Sequence, residues 1–188
     1  MTSLTIFDID ETLFHTSARV QVIKDNKVIR TLDNVEYNNY ELRYGEEYDF
    51  SQFKSSEAFK ETSKPMTKMI KKARAVIENL NQDDSKVIFV TARTDLDDRD
   101  LFISTFNAQG LDMSKVYVER AGNLGIDTVK AKTTVFRKYL DTGKYRTIRL
   151  FDDSMDNLTA LMSLNHDYPN VLFEAYKVDN DSSITAID

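Results

Sequence analysis

Two aspartates two residues apart, Asp8 and Asp10, follow the apolar run 4–7 near the start of the chain. Because side chains at i and i+2 of an extended segment point to the same side, both carboxylates are expected to face one pocket. Two close carboxylates repel each other unless a cation or a shared proton lies between them. The pair therefore predicts a metal-assisted site. The alternative is a solvated junction whose acids cap a following helix.

A second candidate segment follows the apolar run 87–90 and consists of Thr91, Ala92 and Arg93. The hydroxyl of Thr91, the backbone amides of this segment and the guanidinium of Arg93 are all groups that bind an oxyanion. The segment is therefore a candidate site for a phosphate or another anionic ligand. The alternative is an ordinary connection into the next helix.

A second acidic pair, Asp152 and Asp153, follows the apolar run 147–151. Asp153 or Ser154 is a suitable N-cap for the helix that comes next. Asp152 lies directly after the apolar run, where capping does not explain it. Asp156 adds a further acid, so the sequence leaves open whether Asp153 or Asp156 supports a metal beside Asp152.

Two lysines, Lys130 and Lys132, lie where a helix carrying Val135 and Phe136 is expected to begin. A cation near a helix N-terminus is unfavourable unless an anion meets it. Lys132 stands three and four residues before the two apolar side chains and therefore shares their inward face. This spacing favours Lys132 over Lys130 as a site residue. Lys130 remains one alternative. The other is that Lys132 is an ordinary surface lysine.

Short β-rich runs alternate with segments of helical period along most of the chain, which predicts an α/β fold. Strands are predicted at 4–7, 86–90, 115–118, 147–151 and 170–175. Helices are predicted from Pro65 to Leu80, around 101–106, around 135–140 and from Asp153 or Ser154 to Met162. We expect a doubly wound, Rossmann-like parallel sheet of about five strands with helices on both faces. Ligands of such sheets bind beyond the carboxyl ends of the strands, where the polar segments lie.

Residues 17–62 interrupt this alternation. They contain two β-rich runs around Asp25 and Asn26, which predict a hairpin, followed by seven aromatic residues between 37 and 59. We expect a small β-containing cap insertion within a single catalytic domain of residues 1–188. Because it leaves the core just after Asp10, the insertion could cover the pocket and select the substrate. The alternative is that its rings only form a core of its own.

The composition limits the classes of function. A chain of 188 residues with 41% hydrophobic content can bury one good core. With 25 basic and 31 acidic residues, the net charge of −6 disfavours long nucleic acids as partners. The absence of cysteine excludes disulfides, thiolate metal ligands and a cysteine nucleophile. An acidic N-terminal segment and short apolar runs predict no signal peptide, no membrane span and a cytoplasmic location.

The segments 8–12, 90–93 and 152–153, together with Lys132, resemble in this order the four motifs of the haloacid dehalogenase (HAD) superfamily of phosphohydrolases. The resemblance extends from residue 4 to about residue 160, and the composition is similar to that of some phage-encoded members. It implies a magnesium-dependent phosphatase that hydrolyses a phosphate monoester.

The resemblance also implies a role for each matching residue. Asp8 would attack phosphorus and form an aspartyl-phosphate. Asp10 would protonate the leaving oxygen and then deprotonate the hydrolytic water. Thr91 would bind the phosphoryl oxygens, together with the candidate anion-binding residues that follow it, and Lys132 would offset the charge of nucleophile and phosphate.

The implied metal site draws on both acidic pairs. Magnesium would be held by an oxygen of Asp8, the main-chain carbonyl of Asp10 and Asp152, with Asp153 in support. Dehalogenation is not the expected reaction. The resemblance implies this because family members that cleave carbon–halogen bonds lack the second aspartate, here Asp10.

The expected substrate is a small phosphorylated metabolite or a nucleotide. A nucleic-acid phosphate end is a further candidate that the net charge does not favour. Two other functions stay in view: a phosphotransferase on the same scaffold and a catalytically silent binding module. The sequence predicts no membrane partner and leaves the oligomeric state open.

Overall fold

The structure is a computed structural model that describes residues 2–80 and 84–187, apart from the side chains of Asn34, Val35 and Asn38. The strands are β1 Ser3–Phe7, β2 Phe14–His15, β3 Val20–Lys24, β4 Lys27–Leu32, β5 Glu46–Asp49, β6 Lys64–Pro65, β7 Lys86–Thr91, β8 Val116–Arg120, β9 Thr147–Asp152, β10 Leu172–Val178 and β11 Ile184–Ile187. The α-helices are α1 Asn34–Asn39, α2 Ser56–Thr62, α3 Thr67–Glu78, α4 Arg99–Asn107, α5 Thr128–Leu140 and α6 Met155–Ser163.

The main sheet has the strand order β11-β10-β9-β1-β7-β8. The strands from β10 to β8 are parallel to their neighbours, and β11 pairs antiparallel with β10. The predicted α/β fold with a Rossmann-like parallel sheet is therefore confirmed. Its five parallel strands coincide with the five predicted runs, whereas the antiparallel edge strand β11 was not predicted. The first strand lies at the centre, between β9 and β7.

Helices cover both faces of this sheet, as predicted. On one face, α3 and α4 bury apolar side chains such as Met69 and Phe106 against Phe7 of β1. On the other face, α5 and α6 bury Phe136 and Leu158 together with residues of β1 and β9. Two apolar cores therefore hold the central strands from both sides, and the ends of these strands are rigidly placed.

The insertion contains the predicted hairpin. Strands β3 and β4 pair antiparallel around Asp25 and Asn26, whose φ angles of 51° and 59° are those of a tight turn with two left-handed residues. Strand β5 pairs with the other edge of β3, so the small sheet has the order β4-β3-β5. Val22 and Leu32 are buried in its own small core, against which several of the aromatic rings pack.

The last part of the insertion packs elsewhere. Phe59 of α2 contacts the rings of Phe14, Phe102 and Phe106, with ring centroids 5.3, 4.9 and 5.8 Å away. Helix α2 is therefore part of the main apolar core. The structurally separate piece of the insertion is the small sheet between residues 20 and 49.

The prediction that Pro65 lies in the first turn of a helix is wrong. Pro65 pairs with Phe14 in the short antiparallel contact between β6 and β2, and the amide of Met66 donates to the carbonyl of Leu13. The helix begins at Thr67, with Met66 as its N-cap residue. Because its backbone pairs with the segment after Asp10, Pro65 lies in an extended conformation, and the helix begins two residues later.

None of the helices in the described ranges has both the length and the apolar character needed to cross a bilayer.

Candidate active site

The carboxyl ends of β1, β7 and β9 place Asp8, Thr91 and Asp152 at one edge of the sheet. Asp8 follows β1 directly, and its amide continues the ladder by donating to the carbonyl of Phe151, 2.9 Å away. The three polar residues are 4%, 0% and 0% exposed. Because β1 lies between β7 and β9, the structure brings the first, second and fourth predicted motifs together.

Lys132 in the second turn of α5 joins two of these strand ends. Its Nζ donates to Oδ1 of Asp8 at 2.6 Å and to Oδ2 of Asp152 at 2.8 Å. Burial alone would lower the pKa of Lys132, but the charges of the two carboxylates outweigh burial and raise that pKa above its usual value. Lys130 is exposed. Of the two lysines, the structure therefore places Lys132 at the predicted site.

Asp8, Asp152 and Asp153 form a cluster of carboxylates in which each residue offers an oxygen within 4.8 Å of the others. Burial raises the pKa of Asp8 well above its usual range; Lys132 opposes this effect, and the neighbouring acids add to it. Burial and the charge of Asp152 raise the pKa of Asp153 to about 6. Asp156 is exposed and does not belong to this cluster of described residues.

The donor set of this cluster fits Mg²⁺. Magnesium prefers oxygen ligands and is commonly bound by one or two carboxylates together with water and a substrate phosphate. A cation would also relieve the mutual repulsion that contributes to the raised pKa of Asp8. The residues present therefore suit the metal that the resemblance implies.

A residue that sequence reasoning missed, Asn157, holds Asp152 in place. Its Nδ2 donates to both carboxylate oxygens of Asp152, at 3.0 and 3.1 Å, and the amide of Ser154 donates to Oδ1 at 2.9 Å. Asn157 is 3% exposed, and its Oδ1 has no hydrogen-bond partner among the described residues. Such contacts orient a metal ligand, and the free oxygen can accept from bound water. The only sequence signal is an asparagine next to the buried Leu158.

The side chain of Asp10 faces Arg93. Nε of Arg93 lies 3.1 Å from both Oδ1 and Oδ2 of Asp10, and Nη2 lies 2.6 Å from Oδ1. The hydroxyl of Thr91 is 3.3 Å from Oδ2. The carboxylate of Asp10 is therefore directed to the second predicted motif and lies outside the three-carboxylate cluster. The resemblance likewise assigned only the main-chain carbonyl of Asp10, and not its carboxylate, to the metal.

Arg93 is itself buried, at 3% exposure, and contacts the insertion. Its Nη1 donates to the carbonyl of Phe53 at 3.0 Å, and its guanidinium carbon lies 5.2 and 5.0 Å from the ring centroids of Phe53 and Phe59. Its amide donates to the hydroxyl of Thr91 at 3.1 Å. Direct binding of phosphate by this guanidinium stays a prediction.

Gly122, in the turn Ala121–Leu124 after β8, touches the candidate anion-binding segment and was also missed. A Cβ at this position would lie 2.2 Å from the carbonyl oxygen of Ala92 and 2.8 Å from that of Arg93. The first contact is far closer, and the second slightly closer, than a Cβ atom approaches an oxygen in proteins. Only glycine therefore allows this turn to support residues 91–93.

Residues 30–176 match the family model described as HAD superfamily, subfamily IIIB (acid phosphatase). The matched range exceeds half of the chain, so the protein belongs to this subfamily and is a phosphoric monoester hydrolase. The matched range begins after Asp8 and Asp10, so the placement of these two residues at the candidate site depends on the geometry described above. No similar protein of curated function and no similar solved structure was found.

Proposed function

We propose that the protein is a magnesium-dependent phosphatase that hydrolyses a small phosphate monoester through an aspartyl-phosphate on Asp8. The observation that carries this proposal is the bridge from Lys132 to Asp8 and Asp152 beside the three-carboxylate cluster. It unites a buried nucleophile, a cation and a candidate metal site at the end of the central strand. Membership of the phosphatase subfamily supports the reaction class.

In the first step, a carboxylate oxygen of Asp8 attacks phosphorus, and the bond between phosphorus and the ester oxygen breaks. Asp10 gives a proton to the leaving oxygen. In the second step, water attacks the phosphorus of the aspartyl-phosphate and Asp10 accepts a proton from that water. The bond between phosphorus and the oxygen of Asp8 breaks, which frees the Asp8 carboxylate and releases inorganic phosphate. Dividing the hydrolysis in this way replaces one difficult step with two easier ones.

The charge of the transferring phosphoryl group is balanced by residues on three elements. Lys132 lies at 2.6 Å from the proposed nucleophile, and at the same edge Thr91 ends β7 and is followed by the amide of Ala92. Asp8, the carbonyl of Asp10, Asp152 and Asp153 would hold Mg²⁺. The ion supplies positive charge to the phosphoryl oxygens and orients them.

The proposed substrate is small. A pocket of about 130 Å³ opens between the insertion and Arg93, which gives room for only part of a leaving group. Its lining combines apolar, hydroxyl and amide side chains with the guanidinium of Arg93: Thr16, Ser17, Ala18, Gln52, Ala58, Phe59, Thr62, Ser63 and Arg93. Because the charge of Arg93 is already paired with Asp10, this lining suits a neutral leaving group better than a polyanion.

The test is phosphate release from p-nitrophenyl phosphate and from a panel of phosphorylated metabolites, nucleotides and phosphate-ended oligonucleotides. We expect turnover with Mg²⁺ and none after chelation. Mass spectrometry of the acid-quenched protein should find phosphate on Asp8. Phosphate found on another residue, or turnover without a divalent ion, would contradict the proposal.

A second candidate, the phosphotransferase, differs in the acceptor of the aspartyl-phosphate. Adding glycerol to the assay separates the two. A phosphatase releases inorganic phosphate in step with the free alcohol, whereas a transferase forms glycerol phosphate in preference to inorganic phosphate.

A further inference from the structure

The contacts of Arg93 point to a role other than phosphate binding. All three nitrogens of its guanidinium have protein acceptors: Nε and Nη2 donate to Asp10, and Nη1 donates to the carbonyl of Phe53. The rings of Phe53 and Phe59 lie close to the guanidinium and limit its movement. These contacts occupy three of the five N–H groups of the guanidinium and fix its plane, so the side chain is held against Asp10 whether or not its other N–H groups meet phosphate.

We infer that Arg93 is a positioning residue, which fixes the carboxyl group of Asp10 so that it can exchange a proton with the leaving oxygen. This inference rests on the proposed function. The planar guanidinium and the hydroxyl of Thr91 together contact both oxygens of Asp10, and such paired contacts define the orientation of a carboxyl group better than a single donor does.

The anchor of Arg93 is itself held in place. The segment after Phe53 is bound to the loop after β7, because the amide of Asp97 donates to the carbonyl of Lys54 at 2.9 Å. In return, the amide of Ser56 donates to Oδ1 of Asp97 at 2.8 Å. Phe53 therefore cannot shift without disturbing the same loop that carries Arg93. The insertion and the second motif form one support for Asp10.

The dependence on the leaving group separates positioning from phosphate binding. p-Nitrophenolate leaves without protonation, whereas an alkoxide needs an acid, so the loss of Asp10 as acid should lower kcat/KM only for the second class of ester. The loss of Asp10 as base falls on hydrolysis of the shared aspartyl-phosphate and should lower kcat for both esters without changing kcat/KM. We expect Arg93→Met to lower kcat/KM for an alkyl phosphate by about 100-fold and that for p-nitrophenyl phosphate by less than about tenfold. Inhibition by inorganic phosphate should be unchanged.

Arg137→Met is the matched control, because Arg137 forms an exposed pair with Asp167 far from the proposed chemistry. This variant should keep the wild-type kcat/KM for both esters. Arg93→Lys keeps the charge but loses the paired contacts, so it should show the same preference for the activated ester. Equal losses in kcat/KM on both esters would overturn the inference, and weaker inhibition by phosphate would show that Arg93 contacts the phosphate instead.

Thermal unfolding tests this inference without an activity assay and therefore separately from the proposed function. It compares Arg93→Met, Asp10→Asn and the double variant. If the two side chains hold each other, the double variant should lose less in Tm than the sum of the single losses. Additive losses would overturn the inference even in an active enzyme, and coupling should persist even if no phosphate ester is hydrolysed.

Discussion

Lys132 and Asp8, which are 124 residues apart in sequence, are joined by a 2.6 Å hydrogen bond inside the protein. Lys132 also binds Asp152, so one ammonium group balances two buried carboxylates from neighbouring strands. Removing one partner of a buried ion pair leaves charges without compensation and is strongly destabilising. The site and the stability of the fold therefore depend on the same side chain.

The first prediction concerns this lysine. Lys132→Met should abolish activity and lower the free energy of unfolding by about 3 kcal/mol, measured in urea, because two buried carboxylates lose their cation. Lys130→Met is the control, since Lys130 is exposed on the same helix and should tolerate the change. Equal effects of the two substitutions would contradict the choice of Lys132.

The second prediction concerns the nucleophile. Asp8→Asn should lower kcat by roughly 10⁴-fold or more, because an amide cannot form the aspartyl-phosphate. The Tm should stay close to that of the wild type, because Lys132 keeps its ion pair with Asp152 and the substitution removes one of three crowded carboxylates. Asp167→Asn, at an exposed ion pair, is the control. Near wild-type turnover, with mass spectrometry excluding deamidation back to aspartate, would disprove covalent catalysis at Asp8.

The third prediction separates the two acids that the sequence left open. Asp153 belongs to the carboxylate cluster, whereas Asp156 is exposed in the first turn of α6. Asp153→Asn should weaken Mg²⁺ binding by about tenfold in isothermal titration calorimetry, and Asp156→Asn should have little effect. If Asp156→Asn weakened binding as much, the cluster would not be the metal site.

The fourth prediction tests the support of residues 91–93. Gly122→Ala should reduce kcat/KM by at least about tenfold, because its Cβ would displace the backbone of Ala92 and Arg93. Gly143→Ala is the control: its φ of 66° makes alanine unfavourable, but no atom lies within 4 Å of the added Cβ. It should lower the Tm and leave kcat/KM unchanged. A Gly122→Ala enzyme with normal kinetics would show that the contact is not needed.

The predictable part of the fold was the part with local signals. Short β-rich runs marked all five parallel strands, and the Asp25-Asn26 pair marked the hairpin. Strand β5, Glu46–Asp49, was missed because three of its four residues are acidic, whereas its stability comes from pairing with β3 and from the packing of Tyr48 on the small core. The short edge strand β11 likewise depends on its neighbour β10.

The arrangement of the site was predictable in its residues and less so in its contacts. Strand ends and helical phase brought Asp8, Asp152 and Lys132 together correctly. The pair between Asp10 and Arg93 joins residues 83 positions apart, and the further contact of Arg93 with the carbonyl of Phe53 had no signal in the sequence. The sequence predicted Arg93 as an anion ligand, which stays a prediction, and gave no sign that the carboxylate of Asp10 faces its guanidinium.

The last prediction concerns the small sheet of the insertion. Gln21 and Asp49 are direct partners in the pairing of β3 with β5, so a short Gly/Ser linker can replace the residues between them. This replacement keeps α2, Phe53 and Phe59, and with them the main core and the contacts of Arg93. The variant should therefore fold and should still hydrolyse p-nitrophenyl phosphate.

If the small sheet selects the substrate, the best physiological ester from the panel should lose at least about tenfold more kcat/KM than p-nitrophenyl phosphate does. A lid that only excludes water would instead affect both esters alike, because both pass through the same aspartyl-phosphate. Parallel losses would make the sheet a general cover. The origin of specificity would then have to lie in the pocket between Ser17, Gln52 and Arg93, which this variant leaves in place.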